Sequence, residues 1–223
     1  MLDLAEAVAE LREWRTGRYV VIRGAGGQFC SGGDLAFMKK IATTVSGAKM
    51  SIFMHSVISK LHFLPLITVA CVEGHALGGG AELAVSCDFR LMEAEAKIGF
   101  VQARLGVTPG WGGATHLRRL LGNQKALKIL TMSQILTGQK CLKMGLVDDL
   151  LNNLQGSDTE KKLEGWLKQN LDCIPSTALL ASKSVIRNIQ DCGYSESLNR
   201  ERDIFTRMWG GDCHLAALKK VWM

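Results

Sequence analysis

Short apolar runs alternate with amphipathic stretches along this chain. Residues 2–15 set Leu4, Val8 and Leu11 at helical spacing, which predicts an opening helix with one apolar face. The run YVVIRG (19–24) then reads as a short buried strand, followed by a glycine-rich loop over 24–35. A second helix is predicted over 47–63, where Ile52, Phe53, Val57 and Leu61 share a face; it ends before Pro65. LITVACVEG (66–74) reads as another buried strand, and HALGGGAELAVSCD (75–88) as a turn feeding a helix. DFRLM and then KIGF read as strands. The loop LGVTPGWGG (105–113) leads into a helix that GNQKALKILTM continues, and LTGQKCLKMGLVDDLL closes this part with a short helix and a last strand. Strands separated by helices predict parallel winding of the α/β class.

The character changes after residue 150. Strand signals stop, and helices are predicted at about 158–171, 176–190 and 194–208. Their apolar stripes are Leu163/Trp166/Leu167/Leu171, Leu179/Ile186/Ile189 and Leu198/Phe205/Trp209. The polar break NNLQGSD (152–158) divides an α/β core (1–151) from an all-helical region (152–223).

A chain of 223 residues can bury a full core, and 47% hydrophobic with 22% charged residues is an ordinary globular balance. No run approaches the roughly 18 apolar residues of a membrane helix, which argues against a membrane partner. The first stretch carries three acidic residues and no basic one before Arg12, so it reads as neither signal nor transit peptide, and the cytosol is the expected compartment. Seven cysteines without a C-x-x-C pair, mostly in apolar segments, read as reduced and structural. No cysteine or histidine spacing predicts a metal site. The net charge of +6 is scattered apart from a modest cluster at Arg118, Arg119, Lys125 and Lys128. Without aromatic-interleaved basic stripes this argues against a nucleic-acid partner, and leaves room for a phosphate-bearing small molecule.

Two glycine loops carry the chemistry. In ALGGGAEL (76–83), Gly78, Gly79 and Gly80 stand just before an apolar helical pattern, where glycine lets a ligand approach the backbone. The helix start offers free N–H groups and the positive end of its dipole, which suit an oxygen gaining negative charge. In FCSGGDL (29–35), Gly32 and Gly33 follow a buried strand and offer a second N–H to the same oxygen. Each loop alone fits helix packing or an ordinary turn equally well.

The pair in this order, followed by LGVTPGWGGATHLRRLLG, resembles the crotonase (enoyl-CoA hydratase/isomerase) superfamily. Its pattern F-C/A-A/S-G-x-D-L/I, A-L-G-G-G-x-E-L and L-G-x-x-P-x-x-G-G-T matches residues 29–35, 76–83 and 105–115, with Ala114 extra before Thr115. The likeness runs from residue 1 to about 220. It implies the crotonase spiral of ββα units with a helical tail, together with strands ahead of the first helix that this chain does not carry. By the same resemblance the partner is an acyl-CoA substrate, with coenzyme A entering as part of it and no separate cofactor. The assembly is a homotrimer or hexamer in which the tail packs on a neighbouring subunit.

Within the superfamily, the carboxy-lyase branch acting on ethylmalonyl-CoA is the nearest look-alike, on CDFRLMEAEAKIGFV, Trp111 and ERDIFTRMWGG (201–211). By motif position the oxyanion donors are the N–H groups of Gly33 and Gly79, and Glu82 is the candidate acid for the α-carbon. Ser31, Asp34 and Leu35 line the CoA path, although Asp34 also reads as a helix cap. Trp111 walls the pocket for a departing carboxylate. Gln102 stands where hydratases of the family place a second glutamate and where the decarboxylating branch carries histidine. An amide cannot shuttle a proton, which counts against two-carboxylate hydration. Gly33 and His75 also depart from the branch, which carries serine and tryptophan there. Two other readings stay open: an isomerase or weak hydratase working through Glu82, and a non-catalytic, RNA-binding or truncated inactive relative.

Overall fold

The computed structural model describes residues 1–151 and 159–221. The polar break read at 152–158 as a domain boundary lies outside them. Helix α1 (Leu2–Glu13) leads to strand β1 (Tyr19–Ile22), short helix α2 (Leu35–Lys40) and long helix α3 (Thr44–His62). Strands β2 (Ile67–Val72) and β3 (His75–Leu77) come before α4 (Gly79–Ser86), β4 (Phe89–Glu93) and β5 (Lys97–Gly99). Then follow α5 (Gly113–Met132), β6 (Ile135–Thr137), α6 (Gly138–Met144) and β7 (Asp149–Leu151). The tail holds α7 (Thr159–Leu167), α8 (Ser176–Ile189), α9 (Tyr194–Met208) and α10 (Asp212–Val221).

The larger sheet is all parallel, in the order β1-β2-β4-β7, as the alternation of strands and helices predicts. Its central strand β2 is buried along its whole length, which explains its unbroken apolar reading. Ile67, Val69 and Cys71 meet Leu163, Leu167, Leu171 and Leu179 of the tail in one core. Ala70 and Val72 face a second core with Ala81, Met92, Phe100, Leu117 and Ile129. Val8 of α1 packs with Val57, Leu61, Leu64 and Leu66 in a third.

The smaller sheet was not foreseen in full. His75–Leu77 reads as part of a turn, yet it forms β3 and pairs in parallel with β5. β5 pairs antiparallel with β6, a strand hidden in the run read as a short helix. Cys30 extends β3 by an isolated parallel bridge to Ala76, which carries the first glycine loop up to the second.

A buried charge cluster pins the tail to the core. Asp88 accepts from Lys183 Nζ at 2.7 Å, from Arg187 at 2.5 Å, and from both the N–H and the hydroxyl of Thr68 at 2.8 and 2.9 Å. Lys183 also donates to the Leu66 carbonyl at 2.7 Å. Helix α9 differs. None of its residues is buried, and Leu198, Phe205 and Trp209, read as an apolar stripe, are 49%, 54% and 65% exposed. The fourth tail helix, α10, escaped the sequence pattern.

Candidate active site

The two glycine loops meet at the start of α4. Gly78 caps that helix with φ 54° and ψ −118°, values that glycine alone adopts readily, and its N–H donates to the Gly99 carbonyl at 2.9 Å. The turn this creates ends one strand and begins one helix without an intervening loop. The next N–H, that of Gly79, belongs to the first helical turn and has no intrahelical acceptor. Among the described residues no backbone or side-chain acceptor faces it.

The first loop arrives through a ladder of its own. Phe29 N–H donates to the Glu73 carbonyl, Cys30 N–H to that of His75, and Leu77 N–H to that of Cys30, each at 2.9 Å. Gly32 then takes φ 102°; a Cβ there would sit 2.9 Å from the Leu77 carbonyl oxygen and 3.9 Å from the Gly79 nitrogen. The loop holding Gly33 therefore packs directly on the turn holding Gly79. The Gly33 N–H likewise has no acceptor among the described residues.

Beyond Gly33 the loop opens to solvent. Ser31, Asp34 and Leu35 are exposed, Leu35 at 60%. The Asp34 carboxylate caps α2, accepting from the Ala36 N–H at 2.7 Å and the Phe37 N–H at 3.1 Å. The capping role weighed for Asp34 is thus present, and its side chain orders the loop.

Glu82, Gln102 and Trp111 come together on the other side. The Trp111 indole lies over Gly79 so closely that a Cβ on residue 79 would come within 2.5 Å of Cζ3. Glu82 is 2% exposed. Its Oε1 accepts from Gln102 Nε2 at 2.8 Å and from the Gly110 N–H at 3.3 Å. Its Oε2 accepts from the Trp111 and Gly113 N–H groups, both at 2.8 Å. This donor set comes from loop positions 20 to 31 residues away, and no local pattern announces it. Ser51, on α3, also escaped the sequence reading; its hydroxyl donates to the Gly110 carbonyl at 2.8 Å and tethers the same turn.

His75 pairs through Nδ1 with Gln28 Oε1 at 2.9 Å. His62 is buried, with Nδ1 3.2 Å from the Ser86 carbonyl, and its ring lies 4.7 Å from that of His116. Burial, reinforced by the neighbouring His62, Arg119, Arg187 and Arg90, pushes His116 down to about 3. The buried thiols of Cys71, Cys87 and Cys141 are pushed up to about 12, chiefly by desolvation, which suits packing and not nucleophilic attack.

Backbone amides without acceptors, a helix N-terminus and an adjacent indole together can bind a polarised oxygen. Comparison with known proteins places this arrangement. The profile of the family described as enoyl-CoA hydratase/isomerase matches residues 1–209. The chain is 40% identical over 220 residues to an ethylmalonyl-CoA decarboxylase of Bos taurus, covering 99% of this chain and 72% of that protein. It is 41% identical over 219 residues to one of Danio rerio, covering 98% and 72%. Among solved structures, an enoyl-CoA hydratase of Geobacillus kaustophilus superposes with a TM-score of 0.90 at 25% identity, over 99% of this chain and 83% of that one. With the parallel core, the glycine turn and the profile match in agreement, the chain belongs to the enoyl-CoA hydratase/isomerase, or crotonase, family.

Proposed function

We propose that the chain is a carboxy-lyase that removes CO2 from ethylmalonyl-CoA, and from methylmalonyl-CoA, through a thioester enolate. The observation that supports this reading is the contact between the two glycine loops: a Cβ on Gly32 would lie 3.9 Å from the Gly79 nitrogen, the Trp111 indole lies against Gly79, and neither the Gly33 nor the Gly79 N–H has an acceptor among the described residues. In the proposed reaction the thioester carbonyl oxygen accepts from both N–H groups. The bond between the α-carbon and the carboxylate breaks, its electrons pass into the enolate, and CO2 departs. The α-carbon then takes one proton from the solvent pool, leaving butyryl- or propionyl-CoA. Each oxyanion donor contributes about 2.7–4 kcal/mol of transition-state stabilisation in such sites. The relatives at 40% and 41% identity bear the name ethylmalonyl-CoA decarboxylase, which supports the choice of substrate.

Gln102 supports the same choice. Water addition by the family's two-carboxylate route needs an acid at this position, and the amide supplies none. Decarboxylation needs no base to begin. The open loop at Ser31, Asp34 and Leu35 is the proposed path of the CoA moiety. The exposed stripe of Leu198, Phe205 and Trp209 suits a subunit contact in a homotrimer or hexamer. A cytosolic setting remains the expected one. The test is incubation with ethylmalonyl-, methylmalonyl- and crotonyl-CoA, following products by mass. Butyryl- and propionyl-CoA are expected; conversion of crotonyl-CoA alone would replace this reading with hydration.

A further inference from the structure

We propose that Glu82 is a positioning residue: its carboxylate locks the turn at 110–113 so that Trp111 covers the Gly79 amide, and it does not supply the proton. Two oxygens of one buried side chain take four N–H donors, three from the backbone of a single turn and one from Gln102. All four of these contacts run from an N–H to the carboxylate, so both of its oxygens are engaged in holding the turn and Gln102.

The packing is as specific as the hydrogen bonds. A Cβ on Gly113 would lie 2.4 Å from Glu82 Cγ, so the helix start of α5 sits directly on the side chain. The neighbouring Gly112 takes φ 98°, the left-handed bend that presents the Trp111 and Gly113 amides to the same oxygen. Ser51 tethers the turn from the opposite side. The product of these restraints is the indole pressed on Gly79.

Gln102 supplies an independent sign of the same arrangement. Its Nε2 donates to Glu82 Oε1 at 2.8 Å. Its Oε1 is buried and has no hydrogen-bond partner among the described residues. This leaves a buried acceptor beside Glu82 that a water or a ligand can satisfy. A carboxylate that organises its neighbours in this way acts on the reaction through them.

The kinetic consequences rest on the proposed decarboxylation, whereas the structural ones do not. Hydrogen exchange is measured on the Gly110, Trp111 and Gly113 amides in the wild type, Glu82→Gln and Ser51→Ala. Exchange of these amides is expected to accelerate at least about tenfold in Glu82→Gln, and less but in the same direction in Ser51→Ala, while the β2 amides stay protected. Unchanged protection in both variants overturns the proposal, and Ser51→Ala decides should Glu82→Gln fail to fold. The kinetic arm is a cycle of Glu82→Gln, Trp111→Ala and the double variant on ethylmalonyl-CoA. The double variant is expected to match the worse single one, with the pH profile of kcat keeping its shape in Glu82→Gln. Losses that multiply, or a limb of that profile lost in Glu82→Gln, would restore the acid role. A wild type inert toward ethylmalonyl-CoA would reject the substrate assignment, and the exchange measurement would still decide the role of Glu82.

Discussion

Trp111 and Gly79 occupy adjoining space: a methyl group on residue 79 would overlap the indole, 2.5 Å from its nearest ring carbon. The tryptophan above it therefore holds residue 79 to glycine. Gly79→Ala is expected to displace the indole and lower kcat/KM by about 100-fold or more, the scale of losing one oxyanion donor. In a Trp111→Ala background the same substitution costs much less. Equal losses in both backgrounds would show that the contact does not matter.

The Gln102 amide and the Glu82 carboxylate are 2.8 Å apart. Gln102→Glu would set two carboxyls at hydrogen-bond distance, and like charges so close share a proton. One protonated and one ionised carboxyl is the pair that water addition needs. Crotonyl-CoA hydration is expected to rise by about tenfold or more over the wild type, with decarboxylation reduced. A variant no better at hydration would mean that other parts of the site exclude it.

Much of this site is legible in the order of the residues. The two glycine loops, Trp111 and the amide at 102 stand in short motifs, because backbone approach and helix N-termini demand particular residues in sequence. Helix α1 and the buried strand β2 follow their periodicity, and so does α3 except at Ile52, which shares the apolar face in sequence yet is 70% exposed. What stayed hidden depends on partners far along the chain. β3 and β6 exist through pairing with β5, and each runs straight into the start of a helix, whose signal dominates the local sequence. The stripe of α9 is apolar, yet periodicity cannot say whether such a face meets its own core. The four donors to Glu82 and the ties of Asp88 to Lys183 and Arg187 close over 20 to 99 residues.

Asp88 illustrates the last point energetically. Burial alone would raise its carboxyl, but the charge and hydrogen bond of Lys183, the Thr68 N–H and Arg187 together hold it below the usual carboxylate range. Asp88→Asn leaves a buried lysine without its counter-charge, and unfolding free energy is expected to fall by about 3–5 kcal/mol. Adding Lys183→Met should recover part of that loss. Denaturation in urea checks both, and a change under about 1 kcal/mol would show the cluster to be dispensable.

Acid should weaken the fold before Asp88 is protonated. His116 lies far below its ordinary 6.5, at about 3, so between these values the unfolded chain binds a proton that the folded one refuses. Stability is then full above pH 6.5 and falls as the pH drops toward 3, by up to about 1.4 kcal/mol per pH unit. His62 is lowered too, again mainly by burial, and acts in the same sense. The slope of unfolding free energy between pH 6.5 and 4.5 is expected to be shallower in His116→Phe. An identical slope would assign the acid sensitivity elsewhere.

The central claim is that two amides polarise one thioester oxygen, and the infrared band of that carbonyl reports on it most directly. Butyryl-CoA labelled with carbon-13 at its carbonyl is bound to the wild type and to Gly79→Ala. A band at clearly lower frequency than in free solution is expected in the wild type, with a smaller shift in Gly79→Ala, where the N–H is kept but the added methyl displaces it from the carbonyl. A bound carbonyl that absorbs where the free one does would contradict it.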